Sequence, residues 1–365
     1  MHFPSITGGR LSLLAALACT CAASSAAGQL AKRGGTTIGN IARVIGGEAA
    51  GANEFTSTVL VEIGSAQYNS QMCTGSLVAS NVVLTAAHCA YATDTVMFNA
   101  SDFRVTLGHD AISTYDTSAS DSNSYSVSKL VVHPDFDMTE LKGDIAVLVL
   151  EESVASSEDA QPILVYSGDY DTDTPIRAAG FGMTNPYNTN SMPTQLMAVN
   201  LTVGSDALCA ANTNDFSHAY LICTDGTAGK DTCNGDSGGP LVTPVDHGSS
   251  RTALLGLTSY GTSSASNPSG LCAQAGSSGY YTRIAPYIAW IAKSASLDAS
   301  AISVTNSTGV ESSSDGDGLD QEDSQRASDG DDESTVRSGA SSFSTRALLV
   351  FASAAAALSA SAALL

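Results

Sequence analysis

Between residue 44 and about 297, apolar positions come as short runs or strict alternations, each broken by turn residues. Examples are TVLVEI, GSLVASNVVLTAA, FRVTLG, SVSKLVVH, DIAVLVL, PIRAAGFG, ALLGLTSYG and GYYTRI. Alternation puts successive side chains on opposite faces of a strand, and runs of this length between turn residues are strand-sized. The region reads as all-β, a barrel or a sandwich. One segment keeps a helical period instead. In IAPYIAWIAKSA, Ile284, Ile288 and Ile291 lie three to four residues apart.

The flanks follow other patterns. Arg10 precedes LSLLAALACTCAA, an apolar stretch too short to span a bilayer, and SSAAG follows it with small residues. Residues 1–27 therefore read as a secretory signal peptide. The other reading, a buried N-terminal helix, has no amphipathic period behind it. Residues 28–43 are polar and glycine-bearing and end at Arg43, just before VIGG, which suits a propeptide. Lys32-Arg33 is a second processing point. Residues 298–346 are rich in Ser, Asp and Gly and nearly free of large apolar side chains. Such a segment is expected to be a disordered acidic stalk, because it cannot bury enough surface to fold. Residues 347–365, ALLVFASAAAALSASAALL, carry no charge. Ser338-Gly339-Ala340, a short polar spacer and this run fit a GPI-anchor signal. A membrane-spanning or uncleaved tail is the alternative, although no basic flank follows the run.

Charge narrows the partners. The chain of 365 residues has a net charge of -21, and residues 1–43 hold four bases and no acid, so the acidity lies beyond them. That surface argues against nucleic acid and anionic membrane. Any membrane contact is expected only through the C-terminal anchor. Eight cysteines are present, and Cys19 and Cys21 leave with the signal. The remaining six suggest three disulfides in a secreted chain. No C-x-x-C pair occurs, so no zinc site or other metal is expected, and no cofactor. Asn99, Asn200 and Asn306 open N-x-S/T sequons and are glycosylation candidates.

Three stretches carry chemistry. A hydroxyl nucleophile needs an adjacent base, an orienting group for that base, and donors for the oxyanion that forms on attack. His88 in TAAHC is the histidine in a constrained setting, beside Cys89. Asp144 stands at the mouth of the apolar run IAVLVL. Taken alone it reads as a turn residue, and with His88 as a buried functional acid. DTCNGDSGGP, residues 231–240, could be a tight turn around Ser237. Gly235 would let two amides, its own and that of Ser237, point at one spot, and Cys233 would pin the loop.

TAAHC, DIAVLVL, GDSGGP and the R/VIGG junction, in this order and at these separations, resemble the chymotrypsin/trypsin family of serine endopeptidases. The resemblance spans Val44 to about Ser296. It implies two antiparallel six-stranded β-barrels with a C-terminal helix and the site between them. It implies that His88 is the general base, Asp144 its orienting acid and Ser237 the nucleophile, with Gly235 and Ser237 amides as the oxyanion hole. Ser259 matches a serine bonded near the buried aspartate. The implied disulfides are Cys73–Cys89, Cys209–Cys223 and Cys233–Cys272. Asp236 matches the acid that pairs with the ammonium of Val44 once the chain is cut after Arg43, which makes the precursor a zymogen. Asp231 matches the floor of a specificity pocket with Gly261 and Gly279 as open walls, which implies substrates with Arg or Lys before the scissile bond. Tyr281 follows Gly279 as in the family. Protein inhibitors are a further implied class of partner.

The chain departs from the family in places. Tyr260 stands where tryptophan is usual, and GFG at 180–182 replaces a common Gly-Trp-Gly. TSSASNPSGL lengthens the segment between Gly261 and Cys272, and LGHDAISTYDTSASDSNS shows no recognisable calcium loop. The expected product is a secreted or surface-attached endopeptidase with residues 44–297 as its protease domain. The alternative is a catalytically silent homologue acting as a binding or inhibitor protein. The retained His88, Asp144, Ser237, Gly235 and Asp231 argue against it.

Overall fold

A computed structural model describes residues 44–305 except 109–122, 189, 214, 247–248 and 263–270. The expected signal peptide, propeptide with Arg43, C-terminal tail and Asn306 lie outside the described residues. So do most of the stalk and most of the TSSASNPSGL segment.

After a two-residue strand β1 (Glu48–Ala49), six strands form the first barrel: β2 (Thr58–Ile63), β3 (Gln71–Ala79), β4 (Val82–Thr85), β7 (Phe103–Leu107), β8 (Ser124–Val132) and β9 (Ala146–Leu150). A small hairpin, β5 (Tyr91–Thr93) and β6 (Val96–Met97), lies between β4 and β7. The barrel closes in the order β2-β3-β4-β9-β8-β7, and every pairing is antiparallel. Its strands are apolar on both faces for a reason. On β2, Val59, Val61 and Ile63 fill the barrel core, and the intervening Leu60 packs outward on Ala179, Phe181 and Leu196 of the second half. On β4 and β9, Val82, Leu84 and Val147 likewise leave the barrel and join Leu254, Ile284 and Ile291. A period of two thus serves a core with one face and the seam with the other.

The second half contains β10 (Val165–Tyr166), β11 (Ile176–Gly180), β12 (Met197–Leu201), β13 (Leu221–Cys223), β14 (Pro240–Pro244), β15 (Thr252–Gly261), β16 (Gly279–Arg283) and β17 (Ser303–Val304). Six of them run antiparallel as β12-β11-β14-β15-β16-β13. The ring closes through a bridge rather than a full strand pair, at Val203 and Thr224. Two bonds support that bridge, Gly204 N–H to Cys223 O at 2.8 Å and Asp225 N–H to Thr202 O at 3.0 Å. The expected second six-stranded barrel is therefore present in looser form. β1 adds to β12, while β10 adds to β15 and β17 to β10 in parallel.

Helix α1 (Asp206–Asn212), capped by Ser205, was not legible in the sequence. Helix α2 (Ile288–Ala295) lies where the isoleucine period predicts, with Ile284 and Ile291 fully buried. It stops at Ser296 in the left-handed conformation, φ 57°. The fold does not stop there. Asp298 caps a 3-10 turn at Ala299–Ala301, Ile302 is buried in the seam, and β17 follows. The domain boundary expected at 297 falls short, and 298–305 belong to the folded body, not to the stalk. Two apolar residues, Ile302 and Val304, achieve this inside a Ser/Asp-rich composition. Among the described residues no helix is long and apolar enough to cross a membrane.

All three disulfides form as the resemblance implies: Cys73–Cys89, Cys209–Cys223 and Cys233–Cys272. The first ties the turn after β4 to β3, and the last ties the loop before β14 to the segment before β16.

Candidate active site

Three loops meet at the seam. The first is the 3-10 turn Ala87–Ala90, which follows β4 and carries His88. Its Cys89 is bonded to Cys73, which fixes the turn to the barrel wall. The second is the approach to β9, where Asp144 is fully buried. Asp144 Oδ1 accepts the His88 amide at 2.9 Å, and Oδ2 lies 2.8 Å from His88 Nδ1. The Ser259 hydroxyl donates to the same Oδ2 at 2.5 Å. Thr282 Oγ1 donates to the Asp144 carbonyl at 2.9 Å and holds the backbone in place. A carboxylate acceptor at Nδ1 keeps the proton there and leaves Nε2 as the basic atom. Burial alone would push the His88 pKa down. The charge of Asp144 and its hydrogen bond together outweigh that, so it lies above the ordinary histidine value.

The third loop runs from Asp231 to Gly239. Gly235 has φ 100°, a conformation that a side chain rarely adopts. Thr74 of β3 reaches across the seam and clips this loop. Its amide donates to Ser237 O and its hydroxyl to Gly235 O, both at 2.8 Å. Among the described residues, the amides of Gly235 and Ser237 donate to no protein acceptor. Two backbone donors are thus held beside the serine and left available.

Asp236 points the other way, into the interior, with no exposure. Oδ1 accepts the Gly182 amide at 2.8 Å and Oδ2 the Cys233 amide at 2.8 Å. No ion pair reaches it among the described residues. Burial raises its pKa to about 7 despite those amides, with Asp231 adding repulsion. The GFG stretch explains itself here. A β-carbon on Gly180 or Gly182 would collide with the Asp236 carboxyl. Sequence reasoning treated GFG only as a departure and missed this cradle, as it missed Thr74 and Thr282. Val44 is fully buried and packs in the core of the second half with Tyr281, and the Asp231 amide donates to Ile45 O at 3.0 Å.

His88, Ser237 and Asp231 line one cavity of about 320 Å³, together with Tyr260, Gly261 and Gly279. Asp231 is 5% exposed. Its Oδ2 accepts the Ala273 amide at 3.1 Å, and burial pushes its pKa up to about 6. The two wall glycines differ. A β-carbon on Gly279 would come 2.9 Å from Asp231 Oδ1, whereas one on Gly261 would meet nothing within 4 Å among the described residues. Gly279 is required by the packing; Gly261 leaves room for something to enter. Tyr260 stacks flat on Tyr280, with ring centroids 4.8 Å apart. Among the described residues no cluster of His, Cys, Asp or Glu could hold a metal ion. Of the candidate site residues, only Arg43 and Asn306 fall outside the described residues. Asn99 and Asn200 are both exposed.

Comparison with known proteins agrees with this geometry. The family model described as Trypsin matches residues 44–291. The chain is 28% identical over 286 residues to Trypsin delta of Drosophila melanogaster, covering 78% of this chain and 98% of that protein. It is 31% identical over 251 residues to Trypsin of Saccharopolyspora erythraea, covering 67% and 94%. Against Kallikrein-4 of Homo sapiens it is 30% identical over 226 residues, covering 62% and 78%.

Proposed function

This chain belongs to the trypsin family and is a serine-type endopeptidase, and from that premise we propose that it cuts protein chains after Arg or Lys. Ser237 attacks the scissile carbonyl while His88 Nε2 takes its proton. Asp144 holds the imidazole and stabilises the charge it gains. The amides of Gly235 and Ser237 receive the oxyanion. His88 then protonates the leaving amine, and water completes the cycle through the same steps in reverse. The carrying observation is the single cavity that His88, Ser237 and Asp231 share.

Asp231 sets the substrate class. A nearly buried carboxyl at the end of an open pocket favours a cationic side chain that can replace its lost hydration. Asp236 sets the timing. Its carboxyl has two amide donors and no cation, and breaking or leaving a buried charge unpaired is costly. Cleavage after Arg43 supplies an ammonium at Val44, so the longer chain is a zymogen. Arg43 is itself the kind of residue that Asp231 selects, so activation is autocatalytic. The enzyme is secreted, and the apolar C-terminal segment signals a lipid anchor that phospholipase would release.

The deciding experiment compares the full chain with its Ser237→Ala variant. Wild type is expected to process itself after Arg43 and then to cleave Arg and Lys peptides. The variant loses on the order of 10⁴-fold or more in rate with its fold intact. Preferred cleavage after Phe or Leu by the wild type would overturn the substrate assignment. Processing of the variant at an undiminished rate would overturn autocatalysis.

A further inference from the structure

We propose that His133 is a positioning residue for this catalysis: its neutral ring backs the residue before Asp144, and a proton added to that ring withdraws the support. The proposal rests on the roles given above to His88 and Asp144. His133 opens a loop that ends at Asp144 and is stitched shut at its foot. The His133 amide donates to Ile145 O at 3.1 Å, and the Ile145 amide to Gly143 O at 2.8 Å. Farther out, Asp137 and Lys142 form an antiparallel bridge. Gly143 is buried with φ 64°, and a β-carbon there would come 3.2 Å from the Asp135 carbonyl and 3.3 Å from His133 Nδ1. The residue that aims Asp144 is therefore pressed on the histidine ring and on the peptide beside it. The ring fixes that peptide in turn, because the Asp135 amide donates to His133 Nδ1 at 3.2 Å.

The far side of the ring is wedged by the C-terminal part of the fold. It stands edge-on to Tyr287 of the 3-10 turn Ala285–Tyr287 and to Trp290 of α2, both ring centroids 4.8 Å away. Just upstream, Thr282 holds the Asp144 carbonyl. One stretch, 282–290, thus steadies Asp144 from both sides along the chain. Protonation undoes one of them. An imidazolium carries a proton on each nitrogen and has no acceptor, so the Asp135 amide loses its partner and faces an N–H instead. The charged group facing the ring is Asp135 of its own loop. Tyr287 presents a phenol whose pKa is raised to about 12 and Trp290 an indole, so neither gains a charge as pH falls. Burial lowers the His133 pKa, and the Asp135 charge only partly offsets it. This proton therefore binds at lower pH than the one on His88.

Trp290 is the single tryptophan of the chain and reports on its neighbour, since an imidazolium quenches indole fluorescence. The test titrates the activated enzyme for that fluorescence and for kcat on a saturating arginine ester. Bound substrate occupies Asp231, and Asp236 is common to every variant, so differences between variants belong to position 133. In wild type, kcat is expected to fall with one proton below the His88 step and with two below the fluorescence midpoint. His133→Asn keeps an acceptor for the Asp135 amide and cannot titrate. It should hold kcat at about pH 8 within roughly twofold, lose the fluorescence step and keep a one-proton limb throughout. His133→Phe fills the wedge without an acceptor and should lose roughly tenfold in kcat at about pH 8 with KM unchanged. A one-proton limb in wild type through the fluorescence midpoint would overturn the proposal, whether or not a variant folds. So would a two-proton limb in His133→Asn, or undiminished kcat in His133→Phe. In each case a burst of alcohol from the ester leaves the protease reading standing. Absence of that burst in wild type would overturn both.

Discussion

Asp144, at the first-barrel end of the cleft, is met by the side chains of His88 and Ser259; among the described residues Asp231 and Asp236, at the second-barrel end, are met by backbone amides alone. Asp144 takes two donors from His88 and one from Ser259. Asp231 and Asp236 are almost as deeply buried, yet they have amides alone and carboxyl groups raised to about 6 and about 7 by burial. The same residue type in similar burial thus does opposite work. One acid is finished when the chain folds and serves to orient a base. Among the described residues the other two are left short of a cation, and in the function proposed above each is the receiver of one that arrives: a substrate side chain or a new chain end.

The strongest way to break this contrast is to disable the finished acid. Asp144→Asn keeps the shape but places a donor against Nδ1 and favours the wrong tautomer. A loss of about 10⁴-fold in kcat is expected for such a change. A loss below tenfold, measured on an Arg ester, would mean that Asp144 is only a packing residue.

Asp231→Ser should come next. Removing a buried partner of a charge costs roughly 2–5 kcal/mol, about 30- to 5000-fold in kcat/KM for Arg and Lys substrates. The acyl chemistry should survive on small neutral esters. An equal loss on both substrate types would place Asp231 in the fold and not in recognition.

How far each end was legible follows from the same contrast. TAAHC marks His88 beside a cysteine, and DIAVLVL marks Asp144 only when it is read together with His88, since alone that acid reads as a turn residue before an apolar run. GDSGGP announces Ser237 and Gly235 through the glycines its backbone requires. The partners that complete the site are invisible because they lie far away in sequence. Gly182 and Ala273 each donate one amide to a distant carboxyl, and Thr74 donates its amide and hydroxyl to two distant carbonyls; no local pattern marks a residue that does either. Family resemblance supplied the two barrels, yet it did not reveal that a bridge closes the second one. Composition misplaced the boundary at 297, since it averages over Ile302 and Val304, whose two side chains are enough to seat a strand.

The unfinished acids should also be visible in stability. An acid whose folded pKa exceeds its unfolded value binds its proton more tightly when folded. Stability is then greatest at low pH and falls as pH rises between the two values. For the uncleaved chain, with Ser237→Ala blocking processing, stability should fall by on the order of a few kcal/mol from pH about 4 to about 7, in urea melts at each pH. Cutting after Arg43 with a second protease should reduce that slope if the ammonium of Val44 pairs with Asp236 as proposed. Asp236→Asn should reduce it without any cut. Asp231, raised to about 6, keeps its own contribution below that pH, so an undiminished slope between about pH 6 and 7 after both changes would show that Asp236 is not waiting for a cation.

The smallest effect refines the finished end. Ser259 donates to the same Asp144 oxygen that faces His88 Nδ1. That donation draws charge from the carboxylate and so limits how far Asp144 raises the imidazole pKa. Since only the neutral imidazole accepts the serine proton, a raised pKa places the acid limb of the rate profile above that of an ordinary histidine. Ser259→Ala removes the competing donor. The limb should then move to still higher pH by a few tenths of a unit, while the rate at alkaline pH changes by less than about tenfold. A shift in the opposite direction in kcat/KM profiles would mean that Ser259 strengthens the Asp144–His88 pair by positioning it, and the electrostatic account would have to give way to a geometric one.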